Sequence, residues 1–243
     1  MKKKFGIIMM TAMLAMASLT GCNSTKEVSS SDVATDAPSK AEAVDGQEVE
    51  KVKVIETADD AIAVLKEGNE RFVNDKSEVR NADSATRAEL TKGQEPYAVV
   101  ISCADSRVSP SVVFNAGLGE IFEIRVAGNV LDDLAMASVE YGAEHLGCPV
   151  VVVMGHESCG AVTAAHDAIE AGSETEGKLA DLVEEIRPSI DLNKTIDECA
   201  HDNVQRTIDK IKEDEVMANL INNGTVRVVG AYYSLDGKVT FEE

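Results

Sequence analysis

The stretch Pro149-Val150-Val151-Val152-Val153-Met154 restricts the fold more than any other part of this 243-residue chain. Four valines in a row leave no polar face to turn toward water, so the run reads as a strand buried on both sides. Such a strand needs helices above and below it, and the flanking sequence supplies them. Tyr97 to Ser102, introduced by Pro96, and Ile121 to Val126 are two further short apolar strands. Between Val126 and the valine run lies a helix over about Asp132 to Leu146, stopped by Gly147. Another helix follows Cys159, and charged helical segments occupy roughly 176–187 and 193–221. Thr225 to Ser234 and Val239 to Glu242 flank Leu235-Asp236-Gly237-Lys238, a hairpin signal. The alternation predicts an α/β fold with a mostly parallel central sheet flanked by helices and a C-terminal β-hairpin. No internal repeat and no second domain stand out.

The N-terminal part carries address rather than fold. Lys2, Lys3 and Lys4 form a basic region, Phe5 to Leu19 is apolar, and Leu19-Thr20-Gly21-Cys22 resembles a bacterial lipobox. Residues 1–21 are therefore expected to be a lipoprotein signal peptide, with Cys22 lipidated as the first mature residue. Residues 22–56 are rich in Ser, Asp, Ala, Glu and Lys without apolar periodicity, a flexible acidic tether. Order is expected from 57 onward, where Thr57 is the N-cap of a helix with Asp59 and Asp60 in its first turn. No later stretch is apolar for the ~18 residues that crossing a bilayer takes, so the membrane link is through Cys22 alone. The expected location is extracytoplasmic, lipid-anchored to a bacterial membrane at the cell surface or in the periplasm. A formal net charge of −20 repels phosphate backbones and argues against a nucleic-acid partner.

Two short segments carry chemistry: Cys103-Ala104-Asp105-Ser106-Arg107 and His156-Glu157-Ser158-Cys159-Gly160. Each directly follows an apolar strand, and in α/β sheets ligands bind at the carboxyl ends of strands. Any one of these residues alone would read as core or as a satisfied polar group. Cys103, His156 and Cys159 together, with His-x-x-Cys spacing after a strand, read as a Cys2His ligand set that leaves a fourth zinc position open. Asp105 and Arg107, two apart, would face the same side if that stretch is extended, and a bidentate pair would then hold the acid ionised. Of the other cysteines, Cys148 reads as a small core residue and Cys199 lies in a charged helical stretch. A Cys148–Cys199 bridge is conceivable, but no spacing argues for it.

Cys103-Ala104-Asp105-Ser106-Arg107-Val108 and Gly155-His156-Glu157-Ser158-Cys159-Gly160 resemble the two signature motifs of the β-class carbonic anhydrases. Similarity continues in Phe122-Glu123-Ile124-Arg125-Val126-Ala127-Gly128-Asn129 and in Gly230-Ala231-Tyr232-Tyr233. The resemblance covers roughly residues 57–243, which it marks as a catalytic domain. It implies one Zn2+ per subunit on Cys103, His156 and Cys159, and reversible hydration of CO2 to bicarbonate and a proton by zinc-bound hydroxide. Arg107 is implied to hold Asp105 away from the metal, whereas in the closed state of some members this Asp ligates zinc. Gln94 matches a substrate-binding glutamine, Phe122 and Tyr141 match residues lining a small CO2 pocket, and the Gly160 N–H suits an anionic product. The family is built on homodimers, often paired into tetramers, in which the counterparts of Gln94 and Tyr141 reach a neighbour's site in some members. Val126 and Ala127 depart from the plant-like pattern. His145, near Tyr141 on one helix face, is a candidate for proton transfer, while His166 and His201 read as solvent-exposed.

Three rival functions remain at the level of sequence. A hydrolase of CS2 or COS would share the zinc site. A non-catalytic zinc-binding lipoprotein would need neither the Asp105–Arg107 pair nor Gln94. A redox protein would oxidise Cys103 and Cys159 to a disulfide.

Overall fold

The computed structural model describes residues 55–242. The expected signal peptide, the lipidated Cys22 and nearly all of the tether lie outside the described residues. Five strands form one sheet in the order β2-β1-β3-β4-β5: β1 (Ala98–Ser102), β2 (Ile121–Arg125), β3 (Val150–His156), β4 (Arg227–Tyr233) and β5 (Val239–Glu242). The first four in that order run parallel, and β5 returns antiparallel to β4 as the hairpin. The α/β expectation, with its parallel centre and terminal hairpin, holds.

The valine run explains the layering. Side chains alternate across a strand, and β3 sends Val151 and Val153 to one face and Val150, Val152 and Met154 to the other, all fully buried. β1 beside it does the same, with Val99 and Ile101 on the first face and Ala98 and Val100 on the second. The first face is covered by helices α4 (Asp133–Glu140), α7 (Ile196–Glu213) and α8 (Glu215–Asn222), which contribute Val139, Val204, Ile208 and Met217. The second is covered by α1 (Ala58–Val73) and the single turn α3 (Pro110–Val113), through Leu65 and Val113, with Phe114 just beyond that turn. Two further helices, α5 (Gly160–Ala171) and α6 (Lys178–Ile186), pack with Val130 and Ala200 around the carboxyl ends of the strands. A short α2 (Ser84–Leu90) completes the helices.

Local chemistry sets the boundaries. Thr57 caps α1 by accepting from the Asp60 amide at 3.1 Å. Thr195 and Glu198 form a reciprocal capping box at the start of α7. The stretch expected as one charged helical segment over 193–221 divides at Asp214, whose extended backbone ends α7 while its carboxylate caps α8 through the Met217 amide. The helix expected over 132–146 keeps its length, but its last turn, Tyr141–His145, widens to π geometry, with Leu146 N donating to Tyr141 O at 3.1 Å. β3 runs two residues beyond the valine run, to His156. Asn69 of α1 is buried and fully satisfied: its amide donates to the Val113 and Gly237 carbonyls, and its oxygen accepts from Val239 N. That one side chain ties α1 to both α3 and the hairpin.

The bridge considered between Cys148 and Cys199 does not form. Both are free thiols buried on different sides of the molecule, Cys148 in the core under α4 and α7 and Cys199 in the cluster around α5. Cys148 donates to the Pro96 carbonyl at 3.1 Å, and burial pushes its pKa up to about 12. Since the ordinary thiol value is about 8.5, the folded chain keeps this proton where the unfolded chain loses it. The stability linked to Cys148 is therefore complete below about pH 8.5 and drains as pH rises toward 12. Urea unfolding followed from pH 7.5 to 10.5 should show a fall above pH 8.5 that is shallower in Cys148→Ala.

Gly68 gives a second test. A Cβ there would lie 1.8 Å from the Phe114 carbonyl oxygen, a backbone atom with nowhere to go. Helix propensity alone would make Gly68→Ala stabilising by about 1 kcal/mol. Overpacking of this kind costs about 1–3 kcal/mol and here should win. Gly68→Ala is expected to lower the urea midpoint, and a rise would show that α1 can shift off α3 freely.

Candidate metal centre

Parallel pairing of β1 with β3 brings the two signature segments together. Ser102 pairs with Met154, so Cys103 emerges one residue past that pair and His156 two residues past it. His156 is still within the ladder, opposite Tyr233 of β4. Cys159, the residue before α5, closes the set. The Cys103 and Cys159 sulfurs and a ring nitrogen of His156 lie within 4.8 Å of one another. All three residues are buried, His156 completely.

The ring of His156 is oriented by its own loop. Nδ1 lies 2.9 Å from the Glu157 carbonyl, which can only accept, so Nδ1 carries the proton. Nε2 is then a bare acceptor, and it is buried without a hydrogen-bond partner among the described residues. A buried polar atom is costly unless paired. An acceptor aimed at two thiols, with its other nitrogen fixed by a carbonyl, is the arrangement a metal-binding histidine uses.

The thiols agree. Cys103 accepts from the amides of Gly128 at 3.3 Å and Asp105 at 3.4 Å. The Cys159 thiol and these amides together pull the Cys103 pKa well below the ordinary thiol range, against the opposing effect of burial. Cys159, which lends its proton to that bond, is pushed up. A buried thiolate at Cys103, beside the Cys159 sulfur and the bare His156 Nε2, favours a cation between these three convergent donors. The residues present fit a zinc ion with three protein ligands.

Asp105 is not among those donors. Arg107 grips both its oxygens, Nε to Oδ1 at 3.0 Å and Nη2 to Oδ2 at 2.8 Å, and the Arg107 amide adds a third bond at 2.9 Å. These hydrogen bonds hold the Asp105 carboxyl well below the usual carboxylate range. Arg125 steadies the same turn by donating to the Asp105 carbonyl at 2.8 Å. Asp105 is thus engaged by Arg107 and lies outside the group of three candidate donors.

The remaining expected residues fall into two groups. Gly160 opens α5 next to Cys159 and is exposed. Gln94, by contrast, lies before β1 begins, at the amino end of the sheet, whereas Cys103 lies past its carboxyl end. Gln94 and Tyr141 share a hollow of about 700 Å³ with Arg87, Leu90 and Leu118, and none of the three candidate ligands lines it. The Phe122 and Tyr141 rings lie tilted to each other with centres 6.0 Å apart, and Tyr141 is tilted against His145 at 5.5 Å. A single chain therefore does not bring Gln94, Phe122 and Tyr141 to the cysteines. His166 departs from its expected exposure: its side chain is only 15% accessible. His201 is half-exposed and stacks on Tyr232.

Several residues at the centre carry no sequence signal of their own. Gly128 has φ +67, and a Cβ there would come within 2.8 Å of Ile186. Asn203 and Thr207 of α7 hold the Gly128 and Asn129 carbonyls. Ser158 adopts φ +54, a left-handed conformation that L-residues disfavour. Asp197 accepts from the Ser158 amide at 3.0 Å and from the Tyr232 hydroxyl at 3.1 Å. Ser158 lies inside the second signature segment, and Gly128, Asn129 and Tyr232 lie in segments that extend the resemblance, but Asp197, Asn203 and Thr207 had no such clue.

Fold and site together define an α/β protein with an open Cys2His donor set at the carboxyl ends of parallel strands. A family model described as carbonic anhydrase matches residues 98–239, more than half of the chain. Carbonic anhydrase 2 of Mycobacterium tuberculosis is 39% identical over 178 residues, which is 71% of this chain and 86% of that protein. The carbonic anhydrase of Mycolicibacterium smegmatis is 38% identical over 182 residues, 72% of this chain and 88% of that one. Among solved structures, the Coccomyxa β-carbonic anhydrase in complex with acetazolamide superposes with a TM-score of 0.58 at 26% identity, over 74% of this chain and 85% of the other. Tetrameric β-carbonic anhydrases from Sordaria macrospora share the fold with a TM-score of 0.58 at 21% identity, over 64% and 84% of the two chains. The chain belongs to the carbonic anhydrase family, in its β class.

Proposed function

We infer that this protein is a zinc carbonic anhydrase that interconverts CO2 and bicarbonate. The observation that carries the reading is the bare, buried Nε2 of His156 facing two thiols, with an Arg-held carboxylate beside them. Cys103, His156 and Cys159 would hold the ion, which supplies Lewis acidity that lowers the pKa of a water toward ~7. The protein's own groups do the rest. Glu157 O fixes the tautomer and direction of His156. Asp105, kept ionised by Arg107, is a permanent acceptor placed to orient the O–H of a nucleophile toward CO2. The Gly160 amide at the start of α5 favours the bicarbonate product.

The placement of Gln94 supports an oligomer. A substrate-binding role for Gln94, with Phe122 and Tyr141 around it, requires the amino end of one sheet to approach the carboxyl end of another. We therefore propose a homodimer, or a tetramer like those described for Sordaria, as the working unit. The leader sequence supports a lipoprotein anchored through Cys22 outside the cytoplasm, with residues 22–56 as its tether and 57–243 as the catalytic domain.

Zinc content and stopped-flow CO2 hydration on the purified chain test the reading together. One zinc per chain is expected, with hydration abolished in His156→Ala. Asp105→Ala should retain zinc and lose activity by about 10–100-fold or more. A metal-free chain with a Cys103–Cys159 disulfide would favour redox chemistry, and zinc without hydration would favour a storage protein or a CS2/COS hydrolase. For the anchor, Cys22→Ser should move the protein from the detergent phase to the aqueous phase on Triton X-114 partition; unchanged partition would remove the lipidation proposal.

A further inference from the structure

The loop joining His156 to Cys159 is held at four points. Glu157 N donates to the Tyr233 carbonyl at 2.9 Å, and the Glu157 carboxylate accepts from Leu235 N at 2.8 Å. Ser158 O accepts from Arg107 Nη2 at 3.4 Å, and Ser158 N donates to Asp197 at 3.0 Å. The first two come from the hairpin and fix Glu157, whose carbonyl orients His156. The last two fix Ser158, which stands between both ligands in a left-handed conformation.

Asp197 alone reaches this joint from α7. Its Oδ1 takes two donors at once, the Ser158 amide and the Tyr232 hydroxyl. Tyr232 is itself fixed, since it pairs with Gly155 in the sheet and lies against His201 with ring centres 3.8 Å apart. Asp197 is not spent on its own helix, because Thr195 and Glu198 already satisfy the start of α7 through their capping box. Without Asp197 the Ser158 amide loses its acceptor, and at Ser158 itself only the 3.4 Å contact from Arg107 to its carbonyl still opposes relaxation of the strained φ. Rotation of that peptide would shift Cys159 on one side and release Arg107 from the Ser158 carbonyl on the other.

We propose that Asp197 is a positioning residue for the metal centre: by holding the Ser158 amide it sets the distance between His156 and Cys159 and anchors the Asp105–Arg107 pair. The proposal rests on the zinc reading above. It assigns to α7 the task of keeping the ligand loop in its metal-binding shape.

The test is the rate at which the zinc-loaded full chain gives up its metal to the chromogenic chelator 4-(2-pyridylazo)resorcinol. Asp197→Ala should release zinc about 10-fold faster or more, the size typical of losing a group that orients a ligand. Asp197→Asn keeps an acceptor oxygen but discards the charge at the helix start, so its release should stay within about 3-fold of the parent. A role confined to stabilising α7 by charge would make Asn release zinc as fast as Ala. Release from Asp197→Ala at the parental rate, or equally fast release from both variants, overturns the proposal. Should Asp197→Ala fail to fold, Asp197→Ser, which keeps a good helix-start residue but is too short to reach Ser158, takes its place with the same expectations. A parent chain that carries no zinc at all would instead overturn the carbonic anhydrase reading itself.

Discussion

Everything at the metal centre depends on the parallel pairing of β1 with β3. Neither strand carries a complete donor set, and the chain between them contains another strand and two helices before it returns. Only side-by-side pairing, in the register that sets Ser102 against Met154, places Cys103 next to His156. That register is not a free choice. Both strands are buried on both faces, and a slip by one residue would send every valine of β3 to the wrong helix layer. The packing that stabilises the core is thus the same packing that assembles the site.

Around that frame, the charges are disposed so that each group is left in one protonation state. Burial would favour neutral thiols, but the amides of Gly128 and Asp105 and the neighbouring thiol favour a thiolate at Cys103. Arg107 takes up both oxygens of Asp105, which keeps the carboxylate charged yet occupied. His156 has one nitrogen given to a carbonyl and the other left bare. Each result follows from a local hydrogen bond, and together they describe a site poised for a cation and for one oriented nucleophile.

Much of this was legible in the sequence. The valine run announced two-sided burial, and the ligands stand within three residues of strand ends, so local reading found them. The Asp105–Arg107 pairing was legible from its spacing and the resemblance, although a turn at 106–107 rather than an extended stretch brings the two together. What escaped was long-range. Asp197 meets Ser158 from a helix that begins 36 residues after Gly160, and no local pattern distinguishes it from the neighbouring acids of α7. The break at Asp214 looked like one more acid in a charged helix, because a capping carboxylate and a solvated one have the same letter. His166 was expected to be exposed, yet α5 leaves its side chain only 15% accessible. Gln94 was recognised by its register to Cys103, but only the strand direction reveals that the two stand at opposite ends of the sheet.

The backbone clamp on the ligand loop also says which substitutions the loop will bear over evolutionary time. At position 157 the side chain itself is used, since the Glu157 carboxylate receives the Leu235 amide, so a shorter residue or one without an acceptor oxygen forfeits a tie to the hairpin. At position 158 only the amide and the carbonyl are used, and what the site demands of the residue is a dihedral angle. Glycine, asparagine and aspartate visit that left-handed region more readily than serine does. Position 158 is therefore open to drift among small and turn-forming residues, while branched side chains such as valine and isoleucine are shut out by backbone geometry alone.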